Sequence, residues 1–184
     1  SIAHAGYVLV GVQAATDDGV QAALFYLAAY TFMVAGTFGI VTLVGRRGDG
    51  HHSLDDYRGL GRERPGLALL LAVFLFAQAG VPLTSGFFAK FYVITAAIDA
   101  GSTKLAIVAM LAAVIAAYLY LRIVVSMYMT DEDTASSALP RISLPVGAVL
   151  ALTACLVVTI GLGVWPGGVT DLAKDAVPQL VALG

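Results

Sequence analysis

Four long apolar segments, separated by polar linkers, limit what this chain can fold into more than any other feature. They run from about 20 to 44, 66 to 99, 103 to 129 and 141 to 164. A helix crosses a hydrocarbon core of about 30 Å with about 20 residues, because each residue rises 1.5 Å. Each segment is therefore long enough to span a bilayer. The sequence predicts an all-α polytopic membrane protein, folded as one transmembrane helix bundle over 1–184.

The composition supports the same class. Hydrophobic residues make up 59% of the 184 residues and charged residues only 12%, about half the charged fraction of a soluble domain. A net charge of −2 gives no sign of a nucleic-acid partner. The single cysteine, Cys155, lies inside an apolar segment, which excludes a disulfide framework and a cysteine metal cluster.

The two ends of the chain differ from the four segments. Residues 1–14 have the pattern of a helix interior but are too few to span, so we expect a C-terminal piece of a longer chain. After Trp165 and Pro166 the sequence predicts a short amphipathic tail, which is also too short and too polar to span.

The segment from 66 to 99 is too long for one helix. Continuous helix would reach about 51 Å at 1.5 Å per residue, well beyond the hydrocarbon core. Gly80, Pro82 and Gly86 predict two half-helices joined by an unwound stretch at 80–86. Unwound backbone at membrane depth persists only where protein or water satisfies it, and such helices mark ion and substrate paths. The alternative is a simple proline kink.

Lys90 makes function the better interpretation of this break. Between Pro65 and Asp99 it is the only ionisable side chain apart from Tyr92. An ammonium at the centre of a span costs about 2.5–3.5 kcal/mol on insertion scales, so such a residue indicates function. Three nearby polar side chains can hydrogen-bond the broken backbone or water: Gln78, Thr84 and Ser85.

Two further polar positions leave alternatives open. An imidazole titrates near neutral pH, so His4 can relay protons if it faces water or another polar group, or it can be hydrogen-bonded between helices as a packing device. Tyr118 and Arg122 are four residues apart and share a helix face. Arg122 can snorkel to the interface, or it can hold an anion or a neighbouring carboxylate.

Tyr26 and Tyr30 also share a helix face. Packing is the default interpretation of this pair, and a hydroxyl-lined path is the alternative.

Metal and cofactor chemistry are not indicated. His51 and His52 with Asp55 and Asp56 lie in a glycine-rich linker without a sulfur ligand, which favours a solvated loop over a metal site. The sequence contains no glycine-rich phosphate loop, catalytic triad, haem ligand pair or iron–sulfur cysteine set. We therefore expect no redox centre and no cofactor in this chain.

The distribution of basic residues predicts the orientation. Half of the ten lysines and arginines lie in the linker 45–65, namely Arg46, Arg47, Arg58, Arg62 and Arg64. Basic residues are retained on the cytoplasmic side. This linker is therefore predicted to be cytoplasmic, and counting spans places the C-terminus outside.

Three stretches carry a resemblance to a known family: Ser1 to Tyr7, Gly80 to Tyr92, and Tyr118 to Tyr128. On the basis of these stretches, the chain resembles the C-terminal part of members of the subunit N family of proton-pumping NADH–quinone oxidoreductase (respiratory complex I). This family belongs to the wider group of antiporter-like subunits. The resemblance implies a fourteen-helix subunit of two inverted repeats, of which this chain is the second repeat plus a C-terminal helix. Lys90 then corresponds to the family's lysine in the broken twelfth helix, and His4 to the polar position of the tenth.

The resemblance also implies a function. The chain would be a membrane-arm subunit of the bacterial plasma (inner) membrane that translocates protons, coupled to quinone reduction elsewhere in the complex. Lys90, with His4 as a relay, would gain and lose protons along a hydrated path. Burial of a lysine favours its neutral amine form, whereas a nearby carboxylate favours the ammonium form. FMN, iron–sulfur clusters and quinone are expected in other subunits. The partners are other membrane-arm subunits, the lipid bilayer, water and protons.

Two alternatives remain to this function. The chain is either a subunit of a multisubunit cation/proton antiporter, or a structural membrane-arm subunit without its own proton path.

Overall fold

The computed structural model describes residues 2–45, 57–129 and 145–181. All regular structure in these residues is helical, which confirms the predicted all-α class. The helices are α1 Ile2–Gln13, α2 Asp17–Val44, α3 Leu60–Glu63, α4 Pro65–Ala79, α5 Ser85–Asp99, α6 Thr103–Tyr128, α7 Val146–Val164 and α8 Gly167–Val181. Among the described residues, α2, α6 and α7 are long and apolar enough to cross a membrane individually.

Helix α2 lies at the centre of the bundle and packs against α1, α4, α5, α7 and α8. One buried cluster joins it to α1, α5 and α6 around Phe25, Met33 and Val93. A second cluster joins it to α4, α6 and α7 around Ile40 and Phe74. The first cluster surrounds the polar residues described below.

Two helix starts differ from the predicted bounds. Helix α2 begins at Asp17 rather than near residue 20, because Thr16 caps it: Thr16 Oγ1 accepts the Gly19 N–H at 3.1 Å. Two aspartates in the first turn add favourable charge at the positive end of the helix dipole. Helix α7 begins at Val146 because Pro145 has extended backbone. The predicted start at Arg141 lies outside the described residues.

The long segment is two half-helices, α4 and α5, as predicted. Helix α4 ends at Ala79 and is capped by Gly80, whose φ of +93° is the left-handed conformation that glycine adopts without strain. The Gly80 and Val81 N–H groups both donate hydrogen bonds to Phe76 O, each at 3.0 Å. Thr84 has extended backbone, and α5 begins at Ser85.

The break is therefore shorter than the predicted 80–86. Ser85 and Gly86 are the first residues of α5 rather than part of the unwound stretch. Gly86 is needed for packing instead, because a Cβ there would overlap the Ala77 carbonyl of α4. A Cβ at Gly163 of α7 would likewise overlap the backbone of Leu83 and Thr84. Helices α4, α5 and α7 thus meet closely at the break.

Two described elements were not predicted as helices. The tail forms α8, which packs against α2, with a hydrogen bond from Gln21 Nε2 to Thr170 O at 3.1 Å. The short α3 lies in the linker between α2 and α4.

Candidate functional site

Lys90 lies inside the bundle and bonds to the end of the other half-helix. Its side chain is 7% exposed, and Nζ donates to Gln78 O and to Ala79 O, each at 2.8 Å. The last carbonyls of a helix have no partner within it and carry the negative end of the helix dipole. The ammonium therefore occupies the place that a continuing helix would have filled.

Gly80 makes room for this arrangement. A Cβ at Gly80 would lie 3.2 Å from Lys90 Cδ and 3.4 Å from Nζ. Its positive φ would also strain any L-residue with a side chain. Gly80, which caps α4, thus also leaves room for the aliphatic part of the Lys90 side chain to cross the break.

The other polar residues predicted near the break have different roles. Thr84 Oγ1 donates to Val81 O at 2.6 Å and so satisfies one carbonyl of the unwound stretch. The Gln78 side chain points to α2, where Nε2 donates to Thr37 Oγ1 at 2.6 Å. Ser85 Oγ is buried and makes no hydrogen bond within the described part of the chain. Pro82, in the unwound stretch between α4 and α5, is exposed.

His4 lies on α1, where it is 3% exposed and bonded through both ring nitrogens. Nδ1 lies 2.8 Å from Tyr26 Oη, and Nε2 lies 2.9 Å from Tyr120 Oη. The ring also stacks on Tyr30, with centroids 4.6 Å apart. A neutral imidazole has one donor and one acceptor nitrogen, so this geometry suits either a proton relay or a packing contact.

Tyr7 lies between His4's partners and Lys90. Its ring centroid is 5.6 Å from Lys90 Nζ, and its ring stacks on Tyr26 with centroids 5.5 Å apart. Its hydroxyl donates to Ala109 O of α6 at 2.7 Å. Four helices, α1, α2, α5 and α6, therefore meet around this one side chain.

Tyr7 and Tyr120 were not predicted as site residues. Tyr7 carried a usable signal, since it follows His4 by three residues and so shares its helix face. Tyr26, for which packing was the default interpretation, is bonded to His4.

Tyr118 and Arg122 lie apart from this cluster. Tyr118 is 64% exposed, and Arg122 is also exposed on the outer side of α6. Neither belongs to the hydrogen-bonded group around His4 or to the contacts of Lys90. The geometry of α6 thus assigns the inward role to Tyr120.

Neither a metal site nor an ion pair of Lys90 is found in the described ranges. In residues 2–45, 57–129 and 145–181, no group of three or more His, Cys, Asp and Glu side chains is placed to hold a metal ion. The pair His51 and His52, with Asp55 and Asp56, lies outside the described residues. In the same ranges the polar contacts of Lys90 are the two carbonyls, without a carboxylate.

The comparisons with known proteins agree with this architecture. Residues 1–116 match the family described as NADH:quinone oxidoreductase/Mrp antiporter, TM. The chain is 41% identical over 180 residues to NADH-quinone oxidoreductase subunit N 1 of Solibacter usitatus, covering 98% of this chain and 37% of that protein. It is 44% identical over 177 residues to subunit N 2 of Rhizobium meliloti, covering 96% and 36%. The chain thus spans little more than a third of the length of these curated relatives.

Solved structures show the same fold. A chain of respiratory complex I from Thermus thermophilus with bound NADH is 28% identical, with a TM-score of 0.77 over 95% of this chain and 37% of that one. A chain of the Mrp complex from Dietzia sp. DQ12-45-1b has the same TM-score of 0.77 at 24% identity, over 95% and 40%. The second likeness is evidence of fold alone.

Proposed function

The chain belongs to the NADH:quinone oxidoreductase/Mrp antiporter membrane family, and we propose that it is part of a membrane-arm subunit that translocates protons. Its energy source is quinone reduction elsewhere in an NADH–quinone oxidoreductase. The relatives named subunit N support this choice within the family.

One observation carries the proposal. Lys90 is a buried lysine whose Nζ donates to the two terminal carbonyls of a broken helix. The carbonyls stabilise the ammonium, whereas burial favours the neutral amine. A group balanced in this way can take up and release a proton when its surroundings change. A residue that only held the helices together would not need an ionisable group at membrane depth.

The His4 cluster supplies a second proton-exchanging group. His4 has a hydroxyl on each ring nitrogen, so it can accept a proton on one side and release one on the other. Tyr7 and Tyr26 lie between this cluster and Lys90. We assign Lys90 the central role and His4 the role of a relay.

The rest of the complex supplies the redox chemistry. FMN, iron–sulfur clusters and quinone belong to other subunits, and the partners of this chain are other membrane-arm subunits, the bilayer, water and protons. Because the named relatives are bacterial, we place it in the plasma membrane. The linker 45–65 is on the cytoplasmic side and the C-terminus is outside, because basic residues are retained inside.

The test is to remove the Lys90 charge in the assembled complex. Lys90→Ala should abolish most proton pumping while leaving assembly intact, since alanine cannot gain or lose a proton at the position that we assign the central role. Lys90→Arg should not restore pumping fully, because arginine stays protonated. The matched control is Lys104→Ala, which removes an exposed lysine at the start of α6. The readout is proton uptake measured alongside NADH–quinone turnover in reconstituted membranes.

A normal proton-to-electron ratio in an assembled Lys90→Ala complex would make Lys90 structural and overturn the proposal. The family's description also names Mrp antiporters, so a multisubunit cation/proton antiporter is the second candidate. Purification of the chain with iron–sulfur subunits supports the first candidate. Purification without them, together with sodium-dependent proton flux, supports the second.

A further inference from the structure

We propose that Tyr7 is a positioning residue that holds the Lys90 ammonium against the terminal carbonyls of α4, and that it acts through the face of its ring rather than through its hydroxyl. This inference rests on the proposed function of Lys90. It assigns a role to a side chain on a different helix from Lys90, α1 rather than α5.

The Tyr7 ring lies close to the Lys90 ammonium. The Lys90 ammonium has three N–H groups, and its hydrogen bonds go to Gln78 O and Ala79 O. The Tyr7 centroid lies 5.6 Å from Nζ, within the range of about 6 Å over which an aromatic face attracts a cation. Both side chains are buried, and such contacts are strongest where water is excluded. Among the described residues no carboxylate offers Lys90 a competing ion pair.

The Tyr7 ring is held in place by contacts with two other helices. Tyr7 is 3% exposed and stacks on Tyr26 at an interplanar angle of 15°. Its hydroxyl is anchored to α6 by the bond to Ala109 O. The ring therefore cannot turn away from Lys90 without losing both contacts. A clamped ring is suited to fixing the position of a flexible lysine side chain.

The hydroxyl of Tyr7 has a different role from its ring. A phenol has one proton to donate, and Tyr7 donates it to a backbone carbonyl at 2.7 Å. A backbone carbonyl cannot pass a proton onward, so in this geometry the hydroxyl is an anchor. Tyr26, by contrast, is bonded to an ionisable partner, His4. The two stacked tyrosines thus have different roles.

The experiment compares Tyr7→Phe with Tyr7→Leu in the assembled complex reconstituted in vesicles. Tyr7→Phe keeps the aromatic face, and we expect the number of protons pumped per electron to stay within about twofold of the parent. Tyr7→Leu removes the face, and we expect a decrease of about fivefold or more. Assembly is checked by co-purification with the other subunits.

A fluorinated series at position 7 makes the test independent of packing. Phenylalanine with one, two or three ring fluorines keeps nearly the same shape while the negative ring face weakens stepwise. We expect pumping to decrease with each fluorine, whereas a residue with only a packing role would give equal values across the series. This series also decides the matter if Tyr7→Leu fails to assemble.

The outcomes separate this inference from the proposed function. If Tyr7→Phe loses as much pumping as Tyr7→Leu, the hydroxyl is the working group and the inference is wrong. If pumping is constant across the fluorinated series while Lys90→Ala stops it, the inference falls and the proposed function stands. If Lys90→Ala pumps normally, the proposed function falls first.

Discussion

The close approach of α5 to α4 at Gly86 predicts that Gly86→Ala will damage both stability and pumping. A Cβ at Gly86 would overlap the Ala77 carbonyl, and it would also lie 3.2 Å from Met33 Sδ. The methionine side chain can rotate away, but a backbone carbonyl cannot. Helices α4 and α5 must therefore move apart to admit one methyl group.

The magnitude follows from two opposing effects. Overpacking of a well-packed core costs about 1–3 kcal/mol, and the overlap with backbone places this site at the upper end. Replacing glycine by alanine within a helix returns about 0.5–1 kcal/mol. We therefore expect a net loss of about 2 kcal/mol of stability.

The separation of α4 and α5 would also change the contacts of Lys90. Lys90 lies one helical turn after Gly86, and its carbonyl partners, Gln78 and Ala79, directly follow Ala77. Separation of the helices lengthens both 2.8 Å hydrogen bonds. The variant should therefore pump fewer protons per electron even in the fraction that assembles.

The assay compares Gly86→Ala with Gly147→Ala. Gly147 also lies in a helix, but a Cβ there meets nothing within 4 Å, so this control should be neutral or slightly stabilising. The measurements are the temperature at which the chain dissociates from the purified complex and the proton-to-electron ratio in vesicles. Equal thermal stability and equal pumping in the two variants would refute the close packing of α4 on α5.

Two further predictions concern the His4 cluster and the topology. Tyr120→Phe removes the hydrogen-bond partner of His4 Nε2, so it should lower the stability of the protein by about 1–3 kcal/mol and reduce pumping. The control Tyr118→Phe, on the exposed side of α6, should be nearly neutral. Equal effects of the two variants on thermal stability and proton uptake would contradict the assigned orientation of α6. In a background without the native cysteine, Arg62→Cys should be labelled by a membrane-impermeant thiol reagent from the cytoplasmic side and Lys104→Cys from the outside. Labelling with the opposite sidedness would reverse the predicted topology.

The helices could be predicted from the sequence because their signals are local. Long apolar runs predicted α2, α6 and α7, and the glycines and proline at 80–86 predicted that the third segment is discontinuous. The far boundary of the break was wrong, since Ser85 and Gly86 belong to α5. The sequence alone does not show whether a glycine forms a turn or allows two helices to pack closely. At Gly86 the close packing becomes evident only from the position of the Ala77 carbonyl on the other half-helix.

The candidate site was predicted less completely, because its contacts join distant parts of the chain. Lys90 and His4 were identifiable as polar groups within apolar surroundings. Tyr120 was not distinguishable from Tyr118, since α6 is apolar on nearly all sides and its sequence does not show which face turns inward. The contact between Tyr7 and Lys90 joins α1 to α5, and no spacing rule within one helix predicts it.

The arrangement of α1 connects the two ionisable groups through shared tyrosines. A neutral His4 ring accepts at one nitrogen and donates at the other, but a protonated ring donates at both. Because both nitrogens are bonded to tyrosine hydroxyls, protonation requires one hydroxyl to reverse from donor to acceptor. When the reversing hydroxyl is that of Tyr26, the change occurs on the ring that stacks on Tyr7, which in turn faces the Lys90 ammonium. Among the described residues, His4 is thus joined to Lys90 through Tyr26 and Tyr7 by ring contacts, without a continuous chain of hydrogen bonds between the two groups.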